Sequence, residues 1–309
     1  MTRVVFMGTP EFSVNVLDGL VKSSLVDIAL VVSQPDKEVG RKKILTPSKV
    51  SEYATNNALE LLRPSNLKEE YKKILEYDPD LIITCAYGKI LPKELLDYPR
   101  LGAINVHASL LPKYRGGAPI EWSIINGDSK TGITIMYMDP AMDSGDIIKQ
   151  ESLEILDEDN KETLTNKLSF LGRDLLLETL PSIIDGSNDR IVQDNSLVTY
   201  AYNIKRSDEH LLFNTSARDV FNHVRGLSPN PGCYVRVDNK SMKIFDGYIT
   251  DDDSLGEVGV VSKIYKDGIG VNTLDKIYVI TKLQMEGKKV CLAKDYINGK
   301  SNLLGVKYE

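Results

Sequence analysis

The sequence predicts a doubly wound, Rossmann-like α/β domain with a mostly parallel sheet, followed by a small OB-like β-barrel. The first half alternates short, continuous apolar runs with helical stretches, which is typical of parallel strands that are buried on both faces. The last third holds short strand-like runs separated by Gly, Asn and Asp, which is typical of an antiparallel barrel. A length of 309 residues also suggests two domains.

The first domain should contain apolar strands that alternate with amphipathic helices. Helices are predicted at Phe12–Leu20 and at Asn160–Ile184, where leucines recur at helical spacing. In such sheets ligands bind beyond the carboxyl ends of the strands, so Gly8, Ala86–Gly88 and Asn105–His107 should face one crevice. The predicted strands are Arg3–Met7, Val26–Ser33, Leu81–Cys85, Ala103–Val106 and Gly132–Met138.

The change of pattern along the chain predicts a first domain over residues 1–190, a linker over 191–205 and a second domain over 206–309. The second domain should open with a helix at Ser216–Arg225. Its predicted strands are Cys233–Val237, Met242–Tyr248, Gly259–Ile264, Gly268–Val271 and Ile277–Lys282.

Composition and charge exclude several classes of protein. Apolar residues make up 42% and charged residues 27%, which argues against a disordered chain or a coiled coil. The net charge of −6 divides into −7 for residues 1–205 and +1 for residues 206–309, so the second domain is the better candidate to meet a polyanion. Three widely spaced cysteines predict neither a disulfide framework nor a zinc site. With no apolar run of membrane length and a strand that starts almost at the N-terminus, we expect a soluble, cytoplasmic protein.

A polar pair lies at the end of a predicted buried strand. Asn105 and His107 are two residues apart, so their side chains lie on the same side of the strand. An amide N–H can stabilise an oxyanion and an imidazole can donate a hydrogen bond or move a proton. A satisfied buried pair would explain an arbitrary Asn-x-His as well. Its place in the predicted crevice favours acyl transfer.

An acidic turn follows the strand Gly132–Met138. Residues Asp139–Asp146 read DPAMDSGD; the order of their carboxylates does not match a calcium loop. Most such clusters are Asx-rich turns, but a carboxylate beside His107 could orient the imidazole or accept a proton. The turn after the first strand, at Gly8–Phe12, lacks the GxGxxG pattern and carries Pro10, which argues against a dinucleotide cofactor.

A basic segment, Pro35–Lys49, follows the second predicted strand and should lie at the mouth of the crevice. It carries Arg41, Lys42 and Lys43 in sequence. Most charged runs are solvated surface loops. The position of this one favours contacts with a phosphate backbone.

The stretch Asn105–Ile120 (NVHASLLPKYRGGAPI) resembles the 10-formyltetrahydrofolate-dependent formyltransferases. The resemblance continues at the expected spacing through Gly127–Thr134 and Met138–Asp146, and it covers nearly the whole chain. It is weaker beyond residue 205. The opening turn Gly8–Phe12 and the segment Gln34–Arg41 are most similar to the members of the family that act on methionyl-tRNA.

The resemblance implies a site, a donor and an acceptor. It implies that Asn105, His107 and Asp143 are the catalytic residues and that 10-formyltetrahydrofolate donates the formyl group without a metal ion. The acceptor implied is initiator methionyl-tRNA. We expect the protein to be a monomer that does not bind a membrane. Contacts to the tRNA are expected from Arg41, Lys42 and Lys43. Contacts to the folate are expected from Ser109, Leu110, Leu111, Pro112, Ala86, Tyr87 and Gly88.

Three other functions stay open at this point. A formyltransferase that acts on glycinamide ribonucleotide or an amino sugar nucleotide would share the three catalytic residues. The basic segment and the second domain favour tRNA over these small amines. Intact Asn105, His107 and Asp143 argue against a non-catalytic RNA-binding protein, and the missing glycine pattern argues against an NAD-dependent oxidoreductase.

Overall fold

A computed structural model of the chain describes residues 1–40, 42–299 and 302–309. The chain divides into two units. Unit 1 consists of Met1–Pro119, Thr131–Glu154 and Thr165–Tyr202, and unit 2 of Ile120–Lys130, Ile155–Leu164 and Asn203–Glu309. Among the described residues, none of the helices combines the length and the apolar character that a membrane crossing needs.

Strands and helices alternate through the first part of the chain. The described elements up to residue 185 are β1 (Thr2–Gly8), α1 (Glu11–Lys22), β2 (Val26–Val32), β3 (Lys37–Val39), β4 (Ile44–Thr46), α2 (Lys49–Asn56), β5 (Leu61–Leu62), α3 (Leu67–Leu75), β6 (Leu81–Cys85), α4 (Lys93–Asp97), β7 (Ala103–His107), α5 (Pro119–Ile125), β8 (Lys130–Tyr137), β9 (Ile147–Glu154) and α6 (Lys161–Asp185).

A mostly parallel sheet forms the centre of unit 1, as the sequence predicts. Its strand order is β5-β2-β1-β6-β7-β8-β9. The pairs from β5 to β7 are parallel, and β7 pairs with β8 in the antiparallel direction. The central strands are buried on both faces, and α1 packs with Phe12, Val16 and Leu20 buried. The five predicted strands and both predicted helices of this part are present within a few residues of their expected bounds.

The fifth predicted strand runs against the others. Its apolar run became β8, which is antiparallel to β7. A continuous apolar run reports burial on both faces and carries no information about strand direction, so the sequence alone predicts parallel pairing here. The strand β9 and the short strands β3, β4 and β5 were not predicted.

Unit 2 is built mainly on an antiparallel sheet and one helix. Its described elements beyond residue 203 are α7 (Ala217–Leu227), β10 (Cys233–Val237), β11 (Lys240–Asp253), β12 (Val261–Ile264), β13 (Ile269–Asn272), β14 (Lys276–Met285), β15 (Cys291–Leu292) and α8 (Ala293–Asn298). The strand order is β10-β11-β14-β13-β12, and β15 pairs with β14. The five predicted strands and the predicted helix are found, whereas β15 and α8 were not predicted.

The last residues of the chain hydrogen-bond to both edges of this sheet. The Val261 N–H donates to the Val306 carbonyl at 2.9 Å, beside the edge strand β12. At the other edge, the Glu309 N–H donates to the Arg236 carbonyl of β10 at 3.0 Å. The C-terminal segment thereby contacts both edge strands of the antiparallel sheet.

Candidate active site

The loops that follow three neighbouring strands are tied together at one edge of the sheet of unit 1. The register pairs Gly8 of β1 with Cys85 of β6. Beyond them, the Tyr87 carbonyl accepts hydrogen bonds from Thr9 Oγ1 at 3.1 Å and from Gln34 Nε2 at 2.7 Å. The loops after β1, β2 and β6 therefore meet, as expected for the carboxyl ends of parallel strands.

The Asn105 amide is oriented by a neighbouring strand. Thr84 of β6 lies beside Asn105 of β7 in the register of the sheet, and Thr84 Oγ1 donates to Asn105 Oδ1 at 2.8 Å. The same hydroxyl has a longer contact, 3.2 Å, with the Ile104 carbonyl oxygen. Because Oδ1 is engaged, the amide nitrogen is the free end, and no described residue accepts a hydrogen bond from Nδ2. Asn105 thus presents an oriented N–H donor.

The His107 imidazole is buried at the end of β7 and has one ring nitrogen committed to the backbone. His107 Nε2 lies 3.0 Å from the Tyr114 carbonyl oxygen. A carbonyl can only accept, so Nε2 carries a proton. The other nitrogen, Nδ1, lies 3.8 Å from Asp143 Oδ2. Any proton exchange by this ring must therefore take place at Nδ1, on the side of Asp143.

The Asp143 carboxylate is held by the loop that follows β7. Asp143 Oδ2 accepts a hydrogen bond from the Gly116 N–H at 2.8 Å. Gly116 has a φ of +123°, and a Cβ there would lie 2.7 Å from the Ala201 carbonyl oxygen. A side chain at Gly116 would therefore displace the N–H that fixes Asp143.

The backbone around Asp143 is strained and is clamped by two buried side chains. Asp143 has a φ of +49°, a left-handed conformation that is uncommon outside glycine and that clusters at functional sites. Gln193 Nε2 donates to the Asp143 and Gly145 carbonyls at 2.9 and 2.8 Å. Gln193 Oε1 in turn accepts from the Arg115 guanidinium at 2.7 Å. These bonds offset the cost of the turn.

The other carboxylates of the acidic turn point to separate partners. Asp139 Oδ1 accepts from the Ala141 N–H at 3.0 Å and from Ser144 Oγ at 2.6 Å, which is the Asx-turn arrangement. Asp146 Oδ2 lies 3.2 Å from Arg190 Nε. Within residues 1–40, 42–299 and 302–309, no three His, Cys, Asp or Glu side chains form a group that could hold a metal ion.

The predicted folate turn, Ser109–Pro112, has a fixed conformation. Thr134 Oγ1 donates to the Ser109 carbonyl at 2.6 Å and accepts from the Leu111 N–H at 3.1 Å. Gln150 Nε2 donates to the Leu111 carbonyl at 2.9 Å. The side chains of Ser109 and Leu111 are buried. A ligand at this turn would therefore meet main-chain atoms and the half-buried Leu110 and Pro112.

The second predicted folate segment, Ala86–Gly88, exposes backbone at the sheet edge. Ala86 and Gly88 are exposed and have φ values of +46° and +75°. The Tyr87 side chain is buried between them, and burial raises the pKa of its hydroxyl to about 12. The exposed surface of this segment is thus main chain and small side chains, against which a flat ring can lie closely.

The basic segment forms a β-hairpin. Strands β3 and β4 pair Lys37 with Thr46 and Val39 with Ile44, a regular structure that was not predicted. Lys42 and Lys43 are exposed at the tip, and Lys43 Nζ lies 3.6 Å from Glu38 Oε2. Arg41, the third residue expected to contact tRNA, lies outside the described residues.

Three supporting residues escaped the sequence analysis. Thr84 would have been found if the register of the two predicted strands had been known, since a polar residue in an apolar strand beside Asn105 needs a partner. Gly116 stands in a Gly-Gly pair, which signals a close approach of backbone. Gln193 gives no sequence signal, because it lies 50 residues from the Asp143 carbonyl that it binds.

Family models and relatives agree on one class of protein. The model named formyl transferase matches residues 2–180, and the model named formyl transferase, C-terminal domain, matches residues 203–301. A methionyl-tRNA formyltransferase from Staphylococcus aureus strain bovine RF122 / ET3-1 is 47% identical over 307 residues, which is 98% of each chain. The protein of that name from S. aureus strain JH1 has the same identity and coverage.

Solved structures share the fold at lower identity. An N-formyltransferase from Helicobacter canadensis, in complex with folinic acid and dTDP-3-aminofucose, has a TM-score of 0.67 at 20% identity and covers 92% of this chain and 100% of its own. HypX from Aquifex aeolicus, in complex with tetrahydrofolic acid, has a TM-score of 0.65 at 15% identity and covers 99% of this chain and 51% of its own.

Proposed function

The chain belongs to the formyl transferase family, and we propose that it transfers the formyl group of 10-formyltetrahydrofolate to the amino group of initiator methionyl-tRNA. The observation that carries the proposal is the 47% identity to methionyl-tRNA formyltransferases over 98% of both chains. The model match to residues 203–301 shows that the chain also carries the C-terminal domain of the family. The product is N-formylmethionyl-tRNA, which serves translation initiation.

The reaction joins the methionyl nitrogen to the formyl carbon and breaks the bond from that carbon to N10 of the folate. Negative charge develops on the formyl oxygen as the amine attacks. The free N–H of Asn105, oriented by Thr84 at 2.8 Å, is the donor for this oxygen. A proton on His107 Nδ1 would add a second donor, since Nε2 is committed to the Tyr114 carbonyl.

Two proton movements complete the exchange. The amine loses a proton after attack, and N10 gains one as it leaves, so the group that accepts the first proton can return it to N10. We assign the acceptor role to Asp143, directly or through a water molecule, because its carboxylate stands beside His107 Nδ1. The Gly116 N–H keeps this carboxylate in place. No step requires a metal ion.

For the folate we propose a site bordered by Ser109–Pro112 and by the exposed backbone of Ala86–Gly88. Both segments lie beyond strand ends at the edge of the sheet, which is where such sheets bind ligands. The fixed turn and the exposed backbone suit a flat pterin ring. A folate-bound crystal structure tests this, and a pterin near Gly8 instead would overturn the assignment.

For the tRNA we propose contacts from Arg41, Lys42 and Lys43, and separate contacts from residues 206–309, which carry a net charge of +1. We also propose that residues 1–190 hold the catalytic residues; the segment 191–205, expected to be a linker, belongs to unit 1 as far as Tyr202 and supplies Gln193 to the Asp143 turn. Because unit 2 includes Ile120–Lys130 and Ile155–Leu164, deleting residues 206–309 would leave those segments without the rest of their unit. Point substitutions are therefore the cleaner test of tRNA contacts.

The decisive experiment compares acceptors with one donor. Single-turnover transfer from 10-formyltetrahydrofolate is measured with charged initiator tRNA, free methionine, glycinamide ribonucleotide and an amino sugar nucleotide. We expect efficient transfer to the charged tRNA alone. Faster transfer to either small nucleotide would replace the proposal with a small-amine formyltransferase. We further propose a monomer that acts in the cytoplasm, where initiator tRNA is charged; sedimentation with and without tRNA tests the oligomeric state.

A further inference from the structure

Two tyrosines of unit 1 form an exposed, stacked pair beside the proposed active site. The rings of Tyr200 and Tyr202 have centroids 5.5 Å apart and planes within 3° of parallel. Their exposed fractions are 51% and 58%, whereas Ala201 between them is fully buried. Side chains alternate between the two sides of an extended segment, so both rings lie on the same side. We call Tyr200 and Tyr202 the tyrosine pair.

The tyrosine pair is carried by a segment that is hydrogen-bonded to the catalytic loop. The Arg115 N–H donates to the Thr199 carbonyl at 2.9 Å, and the Ala201 N–H donates to the Arg115 carbonyl at 2.8 Å. The next residue after Arg115 is Gly116, whose N–H holds Asp143. The segment that carries the pair is therefore hydrogen-bonded directly to the loop that positions the Asp143 carboxylate.

The chemical structure of the acceptor determines which of its groups lies near Asp143. In methionyl-tRNA the reacting amine is joined to the terminal nucleoside through the methionyl ester, a few covalent bonds away. When the amine reaches Asp143, the terminal base is carried to the surface around it. An exposed aromatic face next to that point is the kind of surface on which a base stacks, because every base has a π-face.

We propose that the tyrosine pair is a stacking platform for the 3′-terminal base of the acceptor tRNA. This inference rests on the proposed function and extends it to the nucleoside that bears the methionyl group. The base continues the existing stack on an outer ring face, at an offset-parallel geometry that aromatic pairs favour. Stacking recognises the ring and not its hydrogen-bonding edge, so the platform positions the ester without reading sequence.

The test uses the full-length enzyme with two acceptors, charged initiator tRNA with its normal terminal adenosine and the same tRNA with an abasic terminal ribose. We expect Tyr200→Ala and Tyr202→Ala each to lower kcat/KM for the normal tRNA by about tenfold. Neither should change kcat/KM for the abasic tRNA. Tyr200→Phe and Tyr202→Phe should retain activity because the ring remains. Tyr98→Ala, another exposed tyrosine of unit 1, is the matched control and should have no effect.

Each contrary result has a distinct meaning. Unchanged kcat/KM in both alanine variants would overturn the platform, and so would an equal loss with both acceptors, which would indicate a structural role. Weaker binding of 10-formyltetrahydrofolate in the alanine variants would assign the pair to the folate and overturn the inference as well. Wild-type activity on the normal tRNA tests the proposed function separately, since only the comparison of the two acceptors concerns the pair.

Discussion

Thr84 offers a direct test of how the oxyanion donor is built. Replacing it by valine keeps the shape and the β-branched side chain of a buried strand residue but removes the hydroxyl that donates to Asn105 Oδ1. A neutral hydrogen bond contributes about 0.5–1.5 kcal/mol. If that energy keeps the amide oriented in the transition state, Thr84→Val should lower kcat by about 2- to 13-fold.

The loss of kcat caused by Thr84→Val should not exceed the loss caused by removing the Asn105 amide donor. Asn105→Ala removes the amide N–H, and we expect kcat to fall by about 10²–10³ with little change in the Kd for the folate. Because Thr84 acts through Asn105, adding Thr84→Val to Asn105→Ala should cause almost no further loss. Single-turnover formyl transfer measures all four members of this cycle.

A matched control separates stability from catalysis. Thr179 is as deeply buried, and its hydroxyl donates to the Leu175 carbonyl at 2.6 Å within α6. Thr179→Val should leave kcat unchanged. The orienting role of Thr84 would be refuted if Thr84→Val had the wild-type kcat, or if it slowed the Asn105→Ala enzyme by the same factor as the wild type.

Three further predictions concern the imidazole, the hairpin and acid stability. His107→Asn should reduce kcat severely in single-turnover assays, and retained activity would make the ring structural. Replacing Lys42 and Lys43 by alanine should weaken tRNA binding and flatten its salt dependence in titrations from low to moderate salt, with folate affinity unchanged. Burial lowers the pKa of His223 below 6.5, so the unfolded chain binds more protons and the free energy of unfolding should fall as pH drops below about 6.5. His223→Gln should remove that slope from denaturant titrations, and an identical slope in both proteins would contradict the assignment.

The sequence predicts the parts of this fold that depend on local pattern. The apolar runs that became β1, β2, β6 and β7 are mostly buried, so composition alone locates them. The direction of β8 could not be predicted, because burial on both faces is the same for parallel and antiparallel strands.

The candidate site likewise has a part that local pattern predicts and a part that it does not. Asn105 and His107 are two residues apart on one strand, so their common side follows from the period of the strand. Thr84 and Gln193 act across the sheet and across 50 residues of chain. Their partners depend on register and on loop paths that no local pattern encodes.

The loop from Tyr114 to Gly116 holds His107 and Asp143 with main-chain atoms, a carbonyl oxygen and an N–H. Support of this kind survives most changes of side chain, provided that position 116 stays glycine. Side chains around the site can therefore change during evolution, and with them the amine that is accepted, while the residues that transfer the formyl group keep their positions. For protein engineers this makes acceptor choice the property to redesign first.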